Sequence, residues 1–228
     1  MHGHLEKELN HLQEKLVEMA TCAETSVRLA IHAFKERNLE LATRVRNQDQ
    51  LLDAYEIAID DLAVQILLRA PLASDLRFVM ATLKISQNLE RIGDEAAKIA
   101  KRARDLSLEP PPSIDIDLSN IVDPATEMLH NALNAFIMRD PKLARTTLPV
   151  DQQVDAIHKA IRHRLIEHMK NHPEEIPQCL DILTAVKCLE RIADHATNIC
   201  EDVVYMCEAQ DIRHQPKPHT TTPKENTV

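Results

Sequence analysis

Glycine occurs only twice in 228 residues, tryptophan is absent, and aromatic side chains make up 2% of the chain. Strands favour β-branched and aromatic residues, and hairpin turns favour glycine, so these shortages argue against a β-rich fold. Two glycines also give little means of building a backbone cradle for an anion. The chain is therefore not expected to bind phosphate directly through protein donors. A basic excess is missing too: the net charge is −9, which excludes a general affinity for phosphate backbones and predicts no nucleic-acid partner. No apolar run approaches the roughly 18 residues of a membrane span. The opening "MHGHLEKELNH" lacks the apolar stretch of a secretory signal. The five cysteines (Cys22, Cys179, Cys188, Cys200, Cys207) include no CxxC spacing, so free, mostly buried thiols in a reducing compartment are expected. What remains is an all-α chain of 44% hydrophobic residues, expected to be cytoplasmic and at most peripheral to a membrane.

The sequence repeats itself. "AFKERNLELA" (33–42) matches "AFIMRDPKLA" (135–144), and "DQLLD" (49–53) matches "DQQVD" (151–155), both at an offset of 102. "LERIGDEAAKI" (89–99) matches "LERIADHATNI" (189–199) at an offset of 100, so the slip falls between "RAPLAS" (69–74) and "NHPEEIP" (171–177). A length difference confined to a turn is what a duplicated unit allows. Each half reads as three helices, over 4–36, 38–70 and 73–107, then 119–138, 141–171 and 175–211. Asn38 and Asp140 are placed to cap, Pro141 suits a first helical position, Ser74 is expected to cap the third helix, and Pro71 to end the second. Pro124 suggests a late helix start after Asp123, and Pro149 should kink its helix where the bond to Arg145 is lost. Ile85, Leu89, Ile92, Ala96 and Ile99 form one buried stripe, and Leu52, Ile59, Leu62 and Ile66 another. The expected organisation is two tandem, pseudo-symmetric three-helix bundles at 1–107 and 119–211. A Pro-bearing linker at 108–118 separates them, and a polar, disordered tail occupies 212–228.

Acidic pairs recur inside this frame. Asp49 and Asp53 lie four apart on the second helix, Glu90 and Asp94 four apart on the third. Folding the two helices into an antiparallel hairpin sets Asp53 level with Glu90 and Asp49 level with Asp94. The same arithmetic in the second half levels Asp155 with Glu190 and Asp151 with Asp194. Each set of four carboxylates would repel unless something positive joins it. That partner is a hard, oxygen-preferring metal ion or a Lys or Arg side chain, and Arg91 and Arg191 are at hand. The plain alternative is a solvated helical face. Glu56 and His158 are possible fifth ligands, and Lys98 stands where the second half has Asn198.

Paired DxxxD and "LERI[GA]D" segments in a doubled three-helix unit, with "APLASDLR" (70–77) before the third helix, resemble the PhoU family of phosphate-signalling proteins. The resemblance covers residues 5–210. It implies two symmetric bundles and, as cofactor, multinuclear iron or another hard ion on the acidic patches, with magnesium, manganese and zinc also open. The metal candidates it carries over are Asp49, Asp53, Glu90 and Asp94, then Asp151, Asp155, Glu190 and Asp194; Lys98 departs from the motif's Asn. It further implies negative regulation of phosphate uptake, contact with the ATPase subunit of a phosphate ABC transporter and with a sensor histidine kinase, and a homodimer.

Two rival readings follow from the residues. A ferritin-like di-iron enzyme needs two ExxH motifs. Glu8/His11 and Glu127/His130 supply the strings, but not at repeat-related positions. A metal-free helical adaptor would use the acidic stripes to bind basic partners. No nucleophile elbow or Gly-rich phosphate loop is present, and no enzyme activity is expected.

Overall fold

The computed structural model describes residues 2–69 and 72–213. Among these residues seven α-helices follow one another: α1 (His2–Glu36), α2 (Leu39–Leu67), α3 (Ala73–Ser107), α4 (Ser119–Met138), α5 (Pro141–Thr147), α6 (Val150–Asn171) and α7 (Ile176–Glu208). A 3₁₀ turn at Pro173–Glu175 leads into α7. No strand occurs among the described residues.

Local chemistry explains most boundaries. The Asn38 side chain accepts from the amides of Glu40 and Leu41, and Asp140 accepts from those of Lys142 and Leu143, with Pro141 next in line. The first helix of each half ends on a non-glycine residue in the left-handed region: Arg37 (φ 53°) and, 102 residues later, Arg139 (φ 50°). Such a residue closes the helix as glycine commonly does, at a steric cost. Three expectations are corrected. Ser74 caps nothing, because α3 already begins at Ala73 and the Ser74 hydroxyl turns to Asp75. Pro124 lies inside α4, which starts at Ser119. Its missing N–H would have bonded Asn120 within the opening turns, so the helix tolerates it. Pro149 breaks its helix outright: α5 ends at Thr147 and α6 begins at Val150, with only a long Asp151 N–H to Leu148 carbonyl bond of 3.4 Å between them. The expected stop at Pro71 and most of the expected disordered tail lie outside the described residues.

The helices pack as two bundles joined along their longest members. Helices α1, α2 and α3 form the first; α4 to α7 form the second; α3 and α7 run antiparallel against each other as a spine. On α1 the buried stripe is Leu12, Leu16, Met19, Ala23, Val27 and Ala30, and on α3 it is the predicted Ile85, Leu89, Ile92, Ala96 and Ile99. Of the predicted α2 stripe, Leu52, Ile59 and Ile66 are fully buried and Leu62 packs at the edge. The segment between the bundles is pinned rather than loose. Ser113 bonds Glu175 at 3.0 Å, and Arg164 donates to the Asp115 carbonyl at 3.0 Å.

Gly93 sets the α2–α3 spacing. A Cβ placed there would sit 2.3 Å from Leu52 Cδ1. At the matched positions the second half has Ala193 and Val154: one methyl more on one helix and a shorter side chain on the other. Gly93→Ala should therefore lose about 1–3 kcal/mol to overpacking, partly offset by the roughly 1 kcal/mol that Ala gains over Gly in a helix. Leu52→Val in the same chain should recover most of the loss. Urea denaturation of both single variants and the double variant checks this. Equal, additive losses would contradict the pairing.

Candidate functional site

The acidic sets assemble as the hairpin arithmetic predicts, and each helix contributes what its register allows. In the first half, Asp49 feels the charge of Asp94 and Asp53, while Glu90 feels Asp94, Glu56 and Asp53. Asp49 also approaches the Gly93 backbone, with Oδ1 3.7 Å from where a Cβ would lie. Partial burial comes first, then this mutual repulsion, and together they hold the carboxyls of Asp49, Glu56 and Glu90 above the ordinary range. Arg91 stretches over the set, its Nε 3.3 Å from Glu90 and its Nη1 3.7 Å from Asp94. Lys98 is drawn away to Glu95 at 2.9 Å.

The second set is less exposed than the sequence suggests. Asp151 and Glu190 are buried, because the break at Pro149 places Asp151 in the first turn of α6, where α6 packs on α7. A carboxylate there also meets the positive end of the helix dipole, which mid-helix Asp49 does not. Lys187 bonds Glu190, His158 Nδ1 lies 3.9 Å from Glu190, and Lys159 reaches Asp155 at 3.9 Å. Partial burial, then Glu190, Asp151 and Asp155, pushes the Asp194 carboxyl up to about 6. Burial also lowers the His158 imidazole, against the pull of Glu190. Arg191, expected near its own set, instead crosses the spine to Glu95 at 3.3 Å.

The donor chemistry is that of a hard-cation site, but the arrangement is not. Among the described residues no three His, Cys, Asp or Glu side chains are placed to hold one metal ion. Arg91 and Lys187 stand on the carboxylates a metal would use. As arranged, the residues do not fit a metal cluster. The di-iron alternative fares no better: Glu8 pairs with Arg69 at 2.8 Å, and His130 turns to Glu24 at 3.0 Å.

Asp194 yields a signed prediction. Its folded-state pKa lies above the ordinary 3.8, so the native state binds the proton more tightly. Stability is therefore lost as pH rises from about 4 through about 6. Asp194→Asn should be indistinguishable from the parent near pH 4 and more stable above pH 7, by less than about 1 kcal/mol after solvent screening. Thermal melts across that range check it; a deficit at pH 7.5 would contradict the crowding.

Sequence reading missed the polar seam between α3 and α7. His195 Nδ1 meets Asn88 Oδ1 at 2.9 Å, and Asn198 donates to the same oxygen at 3.2 Å. Burial first, then the hydrogen-bonding contact with Glu95, pushes the Cys188 thiol up to about 12. Arg102 meets Asp181 at 2.9 Å, and Lys84 meets Asp202 at 3.1 Å. Positions 88 and 188, and 95 and 195, correspond in the repeat, so the Asn88–His195 and Glu95–Cys188 pairs are one contact made twice with different chemistry. The available signal was the contrast between duplicates: residues that differ inside an otherwise shared frame.

Comparison with known proteins agrees with this architecture. The PhoU domain model matches residues 16–103 and 118–203. The chain is 36% identical to the phosphate-specific transport system accessory protein PhoU homolog of Pseudomonas putida, over 97% of this chain and 87% of that one. It superposes on the crystal structure of PhoU from Pseudomonas aeruginosa with a TM-score of 0.87 at 35% identity, covering 90% of this chain and 99% of the other. The phosphate transport system regulatory protein PhoU from Streptococcus pneumoniae gives a TM-score of 0.83 at 28% identity, covering 91% and 99%. With both repeats matched and the fold shared across nearly the whole length, the chain belongs to the PhoU family of phosphate transport accessory proteins.

Proposed function

We propose that this chain is a cytoplasmic negative regulator of phosphate uptake and of the phosphate-starvation response, without enzyme activity of its own. It would join the ATPase subunit of a phosphate ABC transporter to a sensor histidine kinase, acting as a homodimer. Family membership supports the transport-accessory role. The observation that carries the adaptor mechanism is the pair of crowded carboxylate sets, held on the α2–α3 and α6–α7 pairs and only partly neutralised by their own lysines and arginines. Such a surface gains most from a partner's basic side chains, which relieve the repulsion on contact. No helix among the described residues is long and apolar enough to cross a membrane, so contact with membrane-bound partners would be peripheral.

The test is a reporter of the starvation response in cells lacking this protein, grown with ample phosphate. Reporter expression should be high, repressed again by the parent chain, and not repressed by a chain carrying Asp151→Asn, Asp155→Asn, Glu190→Gln and Asp194→Asn. Full repression by that variant would exclude the second patch as the docking surface. Metal loading is the second reading, and it requires Lys187 to leave Glu190. Elemental analysis of protein purified without chelator separates the two. Stoichiometric iron or manganese, lost on the same substitutions, would replace docking by coordination.

A further inference from the structure

A groove of about 330 Å³ opens between α2 and α3, beside the first acidic set. Its cations are Arg46, Lys98, Lys101 and Arg104, over the methyl groups of Ala42 and Ala100. Among the described residues, Asp94 is the only acid lining it. Lys98 is engaged by Glu95 at 2.9 Å, and Arg104 by its neighbour Asp105 at 3.1 Å. Arg46 and Lys101 have no acidic partner among the described residues.

The duplication shows that the fold does not need these cations. At the four matched positions the second half carries Leu148, Asn198, Glu201 and Val204: no cation is kept, and one charge is reversed. A general basic surface is no explanation either, on a chain of net charge −9. Lys98, out of place as a neighbour of the acidic set, belongs to this groove. Two guanidinium forks and two ammonium groups around one opening are the donors that planar or tetrahedral oxyanions require. The volume lies near the lower end of small-ligand sites, roughly 300–1,000 Å³.

We propose that the α2–α3 groove binds the phosphoryl group of a small anion through Arg46, Lys98, Lys101 and Arg104. Side chains here supply what the glycine-poor backbone does not, which reverses the expectation drawn from composition. The inference stands apart from the regulatory reading: that one is tested by a reporter in cells, this one by binding.

The experiment is titration calorimetry on the metal-free full chain with inorganic phosphate, pyrophosphate and ATP as probes, alongside flotation with vesicles of anionic phospholipid. One-to-one binding of at least one soluble probe is expected, weakened tenfold or more by Arg46→Ala with Lys101→Ala and unchanged by Arg162→Ala on α6. Arg46 and Lys101 are exposed, so removing them leaves the core intact, and circular dichroism of the variant verifies its helix content. Binding confined to vesicles and abolished by the same pair assigns the phosphoryl group to a lipid headgroup. No binding to any probe, or binding indifferent to the double variant, overturns the proposal.

Discussion

Phe78→Ala is expected to destabilise the chain by about 3–5 kcal/mol, the range for removing a buried aromatic ring. Phe78 on α3 stacks on Phe136 of α4, with centroids 6.0 Å apart and planes 16° from parallel, and both rings are buried. The Arg139 guanidinium lies 5.0 Å from the Phe78 centroid. One ring thus links the first bundle, the second bundle and the left-handed residue that ends α4. A chain of this length loses about 2–4 °C of melting temperature per kcal/mol. The variant should therefore melt about 6–20 °C below the parent, with m-values checked in urea. A loss under about 1 kcal/mol would mean that the bundles do not depend on this contact.

Lys84→Met is the second large effect, expected at about 3 kcal/mol near neutral pH. That is the lower end for stranding a buried charge, because a third of the Lys84 side chain reaches solvent. Asp202 is 6% exposed, and Lys84 Nζ lies 3.1 Å from its Oδ1. Burial already holds the Asp202 carboxyl above the ordinary range, against the opposing pull of Lys84. Without the lysine it rises further, so the native state retains a proton that the unfolded chain releases. The penalty should be small near pH 4 and grow as pH rises through the folded-state value. Asp202→Asn alone should cost far less, and adding it to Lys84→Met should restore most of the stability. A pH-independent loss that Asp202→Asn does not rescue would point to lost packing on Tyr205, whose ring centroid lies 5.6 Å from the ammonium.

These two contacts were invisible in the sequence, and the reason is physical. Helix periodicity reports which residues face inward, and it placed Ile85, Leu89 and Ile92 correctly; it does not report which inward face meets which. Asn38 and Asp140 were legible because a cap is a local device. Ser74 misled because more than one residue near a helix start can serve as cap, and chain geometry chose an earlier start. The carboxylate sets were legible since register within a hairpin follows from counting residues to a turn. Their burial was not: Asp151 sinks because Pro149 ends one helix and begins another, and a single proline does not announce whether it will bend a helix or divide it. The groove of Arg46 and Lys101 needed both helices side by side before four dispersed cations became one opening.

The spine carries a consequence for how this duplicated chain holds itself together. The ion pairs of the spine, Lys84 with Asp202 and Arg102 with Asp181, close only across unlike halves. Were the first half to mate with another first half in the same register, Lys84 would confront Arg102 and Arg102 would lose Asp181. Two second halves would leave Asp202 without Lys84 and Asp181 without Arg102. Divergence after duplication has thus made each half a poor partner for its own kind. Polypeptides severed between positions 108 and 118 and mixed together should reassemble as mixed pairs.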